Sequence, residues 1–211
     1  MSNNQLLFRY TDIPALIGIL KNRAITLLPP STWDDRNDRY LMEAYKREKK
    51  LKTLLALCFS QARQTYHHWK VFAPGNSGVA IRFDRDELLE ALPKNGTISS
   101  SVTYMTDRKL QSSQIDVNEL PFRKRWAFYD EKEFRIVFFS KTKDLLIKNF
   151  SIELSTIKHI VINPWLPRQL FNSTRETLLS IEGCDRLDIR QSKLIDSPLW
   201  KDYAGKYVLN N

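Results

Sequence analysis

The chain has 211 residues, of which 42% are hydrophobic and 27% are charged, a composition that supports a folded domain with a real core. No segment is apolar over the length of a transmembrane helix, and the first five residues lack the basic and apolar regions of a signal peptide. These features predict a cytoplasmic protein with no membrane partner. The two cysteines, Cys58 and Cys184, lie far apart and are expected to be reduced.

The chain carries an excess of positive charge. Its 33 Lys and Arg residues outnumber its 24 Asp and Glu residues, which gives a formal net charge of +9. Such an excess attracts polyanions and favours nucleic acid or an anionic cofactor as a partner. Two basic runs contribute to it, residues 46–52 and the triplet Arg123, Lys124 and Arg125. A basic surface also serves solubility, so the charge alone leaves both interpretations open.

Hydrophobic periodicity, cap residues and turn residues divide the chain into short strands and helices. The first part of the chain is predicted to form a strand at 6–10, a helix capped by Thr11 or Asp12 and ending at 22, a strand at 24–28, a polar turn at 31–38 and a helix at 39–52. The middle part follows with a strand at 54–59, a helix at 65–72, a strand at 79–83, a helix capped by Asp84, a strand at 98–104 and a mobile loop at 106–118. The last part has a central strand at 131–139, strands at 145–150 and 157–162, a helix at 166–178, a strand at 186–189 and an irregular tail with Trp200 and Tyr203.

This order of elements indicates the class of fold. No repeat, low-complexity segment or linker interrupts the chain. We therefore predict a single α+β domain over residues 1–211, with a mixed or antiparallel central sheet and flanking helices.

The central strand carries charges within an apolar pattern. Phe, Ile and Val favour a strand here, and alternation places Glu131, Glu133 and Arg135 on one face. Charges on a core strand are costly unless they are paired or face a cleft. One interpretation is a catalytic carboxylate held by an arginine on a rigid strand, and the alternative is an ion pair on a solvated sheet face.

Polar residues at the ends of two other strands are further candidates. Arg9 stands in an otherwise apolar first strand just before a helix, where a guanidinium can hold a diphosphate. Ser60 follows a continuous apolar strand and is either a ligand contact or a turn cap. Cys58 lies inside that strand, where burial makes a core thiol the better interpretation.

The sequence contains neither a P-loop nor a dinucleotide glycine fingerprint. Three histidines and two cysteines are too few and too scattered for a zinc site, so no metal is expected. One metal-dependent alternative remains, a magnesium nuclease. Its candidate ligands are Asp34, Asp35, Asp38 and Glu43.

Several short motifs, in their order, resemble the domain-of-unknown-function family 2971. They are Phe8-Arg9-Tyr10, Thr32-Trp33-Asp34-Asp35, Cys58-Phe59-Ser60, Trp69-Lys-Val-Phe72-Ala73 with Gly78, and Glu131-Lys-Glu133-Phe-Arg135. The chain departs from the family pattern at Trp33-Asp34, where Phe-Asn is usual, which leaves the role of the loop at 31–38 open.

The layout of that family is similar to ADP-ribosyltransferases, in which a first-strand Arg or His binds NAD and a late strand carries the catalytic glutamate. The resemblance implies an ADP-ribosyltransferase-like fold, with NAD as the substrate and a role in phage defence or as a toxin. It implies catalytic roles for Glu133 and Glu131. The residues that it implies for NAD binding are Arg9, Tyr10, Ser60, Trp69 and Arg135.

Three functions therefore compete. The first is an NAD-dependent ADP-ribosyltransferase, or an NAD-cleaving relative, that acts on nucleic acid or protein. The second is a non-catalytic nucleic-acid-binding protein, for which Arg123, Lys124 and Arg125 are the candidate contacts. The third is the magnesium nuclease. The sequence does not give the oligomeric state.

Overall fold

The computed structural model describes residues 6–112, 114 and 116–208. Its strands are β1 (Leu6–Asp12), β2 (Ala24–Leu27), β3 (Thr53–Ser60), β4 (Gly78–Asp84), β5 (Thr97–Ser101), β6 (Thr103–Met105), β7 (Arg123–Arg125), β8 (Glu133–Ser140), β9 (Lys148–Ser151), β10 (Ile157–Ile162) and β11 (Ile189–Gln191). Its α-helices are α1 (Ile13–Asn22), α2 (Arg36–Glu48), α3 (Tyr66–Phe72), α4 (Arg85–Glu90), α5 (Asp107–Ser112), α6 (Arg168–Leu179) and α7 (Pro198–Val208). Short 3-10 helices lie at Pro30–Thr32, Val117–Phe122, Trp126–Glu131 and Leu154–Thr156.

A seven-stranded sheet organises the molecule, in the order β11-β10-β4-β1-β3-β8-β5. Its neighbours pair antiparallel except β10 and β11, which pair parallel. Two small sheets, β2 with β9 and β6 with β7, lie beside it. The predicted α+β fold with a mixed central sheet and flanking helices is confirmed.

Strand alternation explains where the largest core forms. Leu7, Leu57, Ile81 and Ile136 are buried and come from one face of neighbouring strands. Buried residues of α1 and α6 belong to the same cluster, namely Leu16, Leu20, Phe171 and Leu178. Among the described residues, no helix is long and apolar enough to cross a bilayer.

The sheet opens between its two central strands. β1 pairs with β4 along its whole length, and β3 pairs with β8 along its whole length. β1 and β3, however, share one register pair, Phe8 with Ser60. Further along β3, Ala56 exchanges two backbone hydrogen bonds with Leu28 instead, at 2.8 and 3.2 Å. A gap therefore lies between β1 and β3.

Two predicted strands are wrong in part. The predicted strand at 98–104 is broken at Val102, whose N–H donates to the Glu133 carbonyl, so β5 pairs with β8 and β6 with β7. The central strand begins at Glu133, because Glu131 ends a 3-10 helix and Lys132 adopts a left-handed conformation with φ of 46°. Glu131 therefore does not share a strand with Glu133.

The remaining differences concern loops and boundaries. The segment predicted as a loop at 106–118 contains α5, while residues 113 and 115 lie outside the described residues. The tail forms α7, with Pro198 in its first turn. Helix α2 begins earlier than predicted because Asp35 caps it. The strands predicted at 145–150 and 186–189 are shifted to Lys148–Ser151 and Ile189–Gln191.

Candidate functional site

A cleft of about 620 Å³ lies at the gap between β1 and β3. Its volume is in the range of small-molecule sites, roughly 300–1,000 Å³. Residues of β1, β3, the loop before α2, the turn after α3 and the 3-10 helix Trp126–Glu131 line it. Arg9, Ser60 and Glu133 all belong to this lining. A cavity of about 530 Å³ between the ends of α1 and α6 is lined by a single carboxylate, Glu182, and by two cations, Lys21 and Arg23.

Glu133, the first residue of β8, is held by Arg135 two residues later on the same face. Arg135 Nε donates to Glu133 Oε1 at 2.7 Å, and Nη2 donates to Oε2 at 2.9 Å. Arg135 also donates to both carboxylate oxygens of Asp38 and, at 2.9 Å, to the Pro121 carbonyl. The Trp33 ring lies 4.8 Å from the guanidinium carbon.

Arg135 is consequently a support for Glu133. It has no exposed surface, its Nε, Nη1 and Nη2 all donate to protein acceptors, and it is not part of the cleft lining. The expectation that Arg135 contacts NAD does not agree with this position, because protein groups already occupy its donors.

Lys124 completes the cluster of charges. Its Nζ donates to Glu131 Oε2 at 2.5 Å and to Glu133 Oε2 at 3.1 Å, and it lies 3.7 Å from Asp38 Oδ2. Lys124 was expected on a nucleic-acid-binding surface together with Arg123 and Arg125. In β7 the three residues alternate, so Lys124 enters the cleft while Arg123 pairs with Glu119 and Arg125 lies 3.7 Å from Asp107. The triplet is not one continuous basic surface.

The two glutamates of the cleft differ in protonation. Burial raises the pKa of Glu133, but the charges of Arg135 and Lys124 outweigh burial and lower it to about 2. Burial raises the pKa of Glu131 to about 7, and Lys124 offsets only part of this shift. At neutral pH, Glu133 is therefore ionised while Glu131 titrates.

Arg9 reaches the cleft because the sheet is open. Alternation puts it on the face of Leu7 and of its register partner Ile81. Glu133 lies on the other face of the sheet, because Phe8 and Glu133 are both register partners of Ser60, so Arg9 meets Glu133 only through the gap. Beyond the gap, Arg9 Nη1 donates to the Cys58 carbonyl at 3.1 Å, its one side-chain hydrogen bond to the described residues. Burial lowers the pKa of Arg9, and the negative charge of Glu133 opposes that shift. The guanidinium keeps further donors for a ligand.

Ser60 lines the cleft, but its hydroxyl is already hydrogen-bonded to other protein groups. It donates to the Glu131 carbonyl at 2.7 Å, accepts from the Ala62 N–H at 3.1 Å and lies 3.3 Å from His68 Nε2. These contacts agree with the turn-capping interpretation. They also fix the backbone of Glu131, so Ser60 supports a cleft residue through its contacts.

Tyr10 and Trp69 differ in their relation to the cleft. Tyr10 lines it, its ring stacks on His68 at 5.3 Å, and its buried hydroxyl has no hydrogen-bond partner in the part of the chain that the structure describes. Trp69 is fully buried and contacts the Tyr10 ring edge to face, with ring centroids 5.6 Å apart. Its Nε1 donates to Gln64 Oε1 at 3.1 Å. Trp69 is not part of the lining, so the expected contact with NAD does not agree with its position.

Two of the four acidic residues proposed for a nuclease have structural roles. Asp35 caps α2, and Asp38 pairs with Arg135. Within residues 6–112, 114 and 116–208, no group of three or more His, Cys, Asp or Glu side chains is arranged to hold a metal ion. Asp38 and Lys124 were not predicted to belong to the glutamate cluster. The signals were a carboxylate three residues after a helix cap and a lysine in the middle of a short strand.

One family model matches part of the chain. Residues 68–136 match the model of the family described as Protein of unknown function (DUF2971). The resemblance stated above is confirmed over these residues, which include Glu131, Glu133 and Arg135 but not Arg9 or Ser60. None of the curated proteins compared with the chain matches it.

The chain is also similar to solved structures of Thermus sp. 2.9 DarT. In the complex with ADP-ribosylated ssDNA, DarT aligns with this chain at 11% sequence identity and a TM-score of 0.48, and the alignment covers 91% of this chain and 96% of DarT. The NAD+ complex has the same identity and TM-score, with coverages of 91% and 97%. The carba-NAD+ complex is 11% identical at a TM-score of 0.47, with coverages of 92% and 98%. At these values, the function has to be argued from the residues of this chain.

Proposed function

We propose that the protein binds NAD in this cleft and cleaves its nicotinamide–ribose bond, transferring ADP-ribose to an acceptor. One observation carries the proposal: the guanidinium of Arg9 and the carboxylate of Glu133 line the same cleft, opened by the separation of β1 and β3. A guanidinium is suited to a diphosphate, and a carboxylate is suited to a ribose on which positive charge develops.

The protonation state of Glu133 agrees with a role in stabilising positive charge on the ribose. Cleavage of the bond passes through an oxocarbenium-like state, as in glycoside hydrolysis, and an ionised carboxylate lowers its energy. The pKa of Glu133, lowered to about 2 by Arg135 and Lys124 against the effect of burial, keeps the group ionised. Its two oxygens accept three N–H bonds and contact the Cys58 thiol. A thiol is a weak donor, so the 2′-hydroxyl of the ribose can replace it.

Glu131 supports the second half of the reaction. The C1′–N bond to nicotinamide breaks, the base leaves as a neutral molecule, and a bond forms between C1′ and the acceptor. The proton of the acceptor must then be taken up. A carboxyl group whose pKa is raised by burial to about 7 is matched to that task at neutral pH.

The competing interpretation is a structural network of ion pairs. Two features favour a site: the network lines a cleft, and the buried hydroxyl of Tyr10 in the same cleft has no partner among the described residues. The test is incubation of the full chain with NAD, with and without a metal chelator, while nicotinamide is quantified. Release that is insensitive to the chelator supports the proposal. If nicotinamide is not released and NAD does not bind, the proposal is wrong.

An exposed aromatic pair beside the cleft supports nucleic acid as the acceptor. Trp126 and Tyr129 stack with ring centroids 4.3 Å apart, and they are 50% and 38% exposed. The same 3-10 helix contributes Phe128 to the cleft, and Lys132 lies over the Tyr129 ring. Unpaired bases stack on such rings, and the net charge of +9 attracts the phosphates.

Replacing Trp126 by Ala is expected to weaken binding of a single-stranded oligonucleotide by roughly 1–3 kcal/mol, the usual contribution of one stacked base. A mobility-shift titration at several salt concentrations measures this change. Trp200→Ala is the matched control, because Trp200 is also exposed but lies on α7, outside the cleft lining. Equal affinities for wild type and the Trp126 variant would remove stacking as the mode of binding, and the absence of any binding at low salt would remove nucleic acid as the acceptor.

A further inference from the structure

The two carboxylate oxygens of Asp35 have different surroundings. Oδ1 caps α2, accepting from Asn37 N at 2.9 Å and from Asp38 N at 3.4 Å. The side-chain amide of Asn37 also donates to Oδ1, at 3.2 Å. Oδ2 is buried and has no hydrogen-bond partner among the described residues, although Asp35 lines the cleft. The cap fixes the carboxylate, so the second oxygen has a fixed position.

A buried acceptor without a donor is unfavourable, and most such atoms in folded proteins have a partner. A second atom of this kind belongs to the same cleft. The Tyr10 hydroxyl comes from β1 rather than α2, and its residue is only 5% exposed. Two unpartnered polar atoms on lining residues from separate elements indicate a ligand with polar groups.

We propose that Asp35 accepts a hydrogen bond from an O–H or N–H donor of NAD, an inference that rests on the proposed function. The ligand must bring an O–H or N–H donor to Oδ2. A diphosphate has no donor at neutral pH and is repelled by a carboxylate, so it is directed to Arg9. The nicotinamide ribose is assigned to Glu133. The remaining donors of NAD are the carboxamide of nicotinamide, the adenosine ribose hydroxyls and the adenine amino group.

Asp35→Asn tests this contact with little effect on the fold. Asn caps helices as well as Asp does, so Oδ1 can keep its bonds to α2. The amide nitrogen then replaces Oδ2 and presents a donor to the donor of the ligand. Because hydrogen bonds to charged groups are among the stronger ones, we expect the KM for NAD to rise about 10- to 100-fold, with kcat changed less than about threefold. The melting temperature should stay the same.

Asp84→Asn is the matched control. Asp84 caps α4 with the same geometry, accepting from Asp86 N at 3.1 Å and from Glu87 N at 3.2 Å, but it is not in the cleft lining. The KM of the Asp84 variant for NAD should therefore be that of the wild type. If the folded Asp35 variant also keeps the wild-type KM, the Asp35 contact is wrong while the proposed function stands. If the wild type neither binds nor cleaves NAD, the proposed function is wrong and the inference falls with it.

NAD analogues distinguish the possible donors. 3-Acetylpyridine adenine dinucleotide lacks the carboxamide N–H groups, nicotinamide hypoxanthine dinucleotide lacks the amino group of adenine, and NAD analogues with 2′- or 3′-deoxyadenosine each lack one ribose hydroxyl. The wild type should bind the analogue that lacks the donor to Asp35 more weakly than it binds NAD. The Asp35 variant should bind that analogue and NAD equally well. If the substitution and every one of these analogues act additively, Asp35 contacts none of these groups and the inference is overturned.

Discussion

Replacing Glu133 by Gln separates a catalytic carboxylate from a structural one. The cluster contains three carboxylates, Asp38, Glu131 and Glu133, and two cations, Lys124 and Arg135. Without the charge of Glu133, Arg135 still pairs with Asp38, and Lys124 still pairs with Glu131. No cation is left alone in the interior. We therefore expect a loss of stability of about 1–2 kcal/mol, below the roughly 3–5 kcal/mol for a buried pair broken to leave an uncompensated charge.

The effect on the reaction should be much larger than the effect on the fold. Gln can still accept a hydrogen bond from the ribose, so the KM for NAD should change little. It cannot offset the positive charge of the transition state. Loss of one electrostatic stabiliser typically lowers kcat by about 10²–10³-fold, which corresponds to roughly 2.7–4 kcal/mol. Glu131→Gln removes the proton acceptor but leaves this charge in place, so its effect on NAD cleavage should be smaller.

The assay combines initial rates of nicotinamide release with urea denaturation of each variant. The catalytic interpretation requires a folded Glu133 variant with a strongly reduced kcat and a Glu131 variant that is affected less. Equal losses of activity in both variants, accompanied by unfolding, would refute this reasoning and indicate a structural ion-pair network. So would full activity in the Glu133 variant.

Two further predictions concern stability. Burial raises the pKa of Glu131 to about 7 from its usual 4.5, so the ionised form is disfavoured in the folded state. The free energy of unfolding of the wild type should therefore fall by roughly 1–3 kcal/mol relative to Glu131→Gln as the pH rises from about 4.5 to above 7. Parallel denaturation profiles of the two proteins across this range would contradict the shift. Gly78→Ala should destabilise by about 1–3 kcal/mol, because the new Cβ would lie 2.2 Å from the Ala73 carbonyl oxygen, whereas Gly18→Ala, with no atom within 4 Å, should be neutral or stabilising in thermal melts.

Local rules were sufficient wherever neighbouring residues decide the structure. Alternation placed Glu133 and Arg135 on one face, and their hydrogen bonds follow from that spacing. Asp12 and Asp84 cap the helices for which they were candidates. The mixed sheet follows from the order of strands and helices, although the position of β11 beside β10 does not.

Other parts of the site depend on contacts that the sequence pattern does not encode. The alternation predicted to include Glu131 is interrupted by the left-handed Lys132. Glu131 belongs to the cluster because Lys124 donates to both Glu131 and Glu133. Asp38 could not be assigned from its helix, because its partner Arg135 lies 97 positions away in the chain. Tertiary pairing decides these residues, and a single sequence does not show it.

The charge of the whole chain and the charge of the cleft have opposite signs. The chain carries +9, whereas the cleft lining has six carboxylates, Asp12, Asp34, Asp35, Asp38, Glu131 and Glu133, against the two cations Arg9 and Lys124. A polyanion is therefore not expected to run through the cleft, because its phosphates would meet carboxylates. In the proposed reaction, the backbone of a nucleic-acid acceptor must stay on the surface outside, and a single uncharged group must reach the ribose. Arg9 is then the cation left to meet the diphosphate of NAD, since Lys124 is already bound to Glu131 and Glu133.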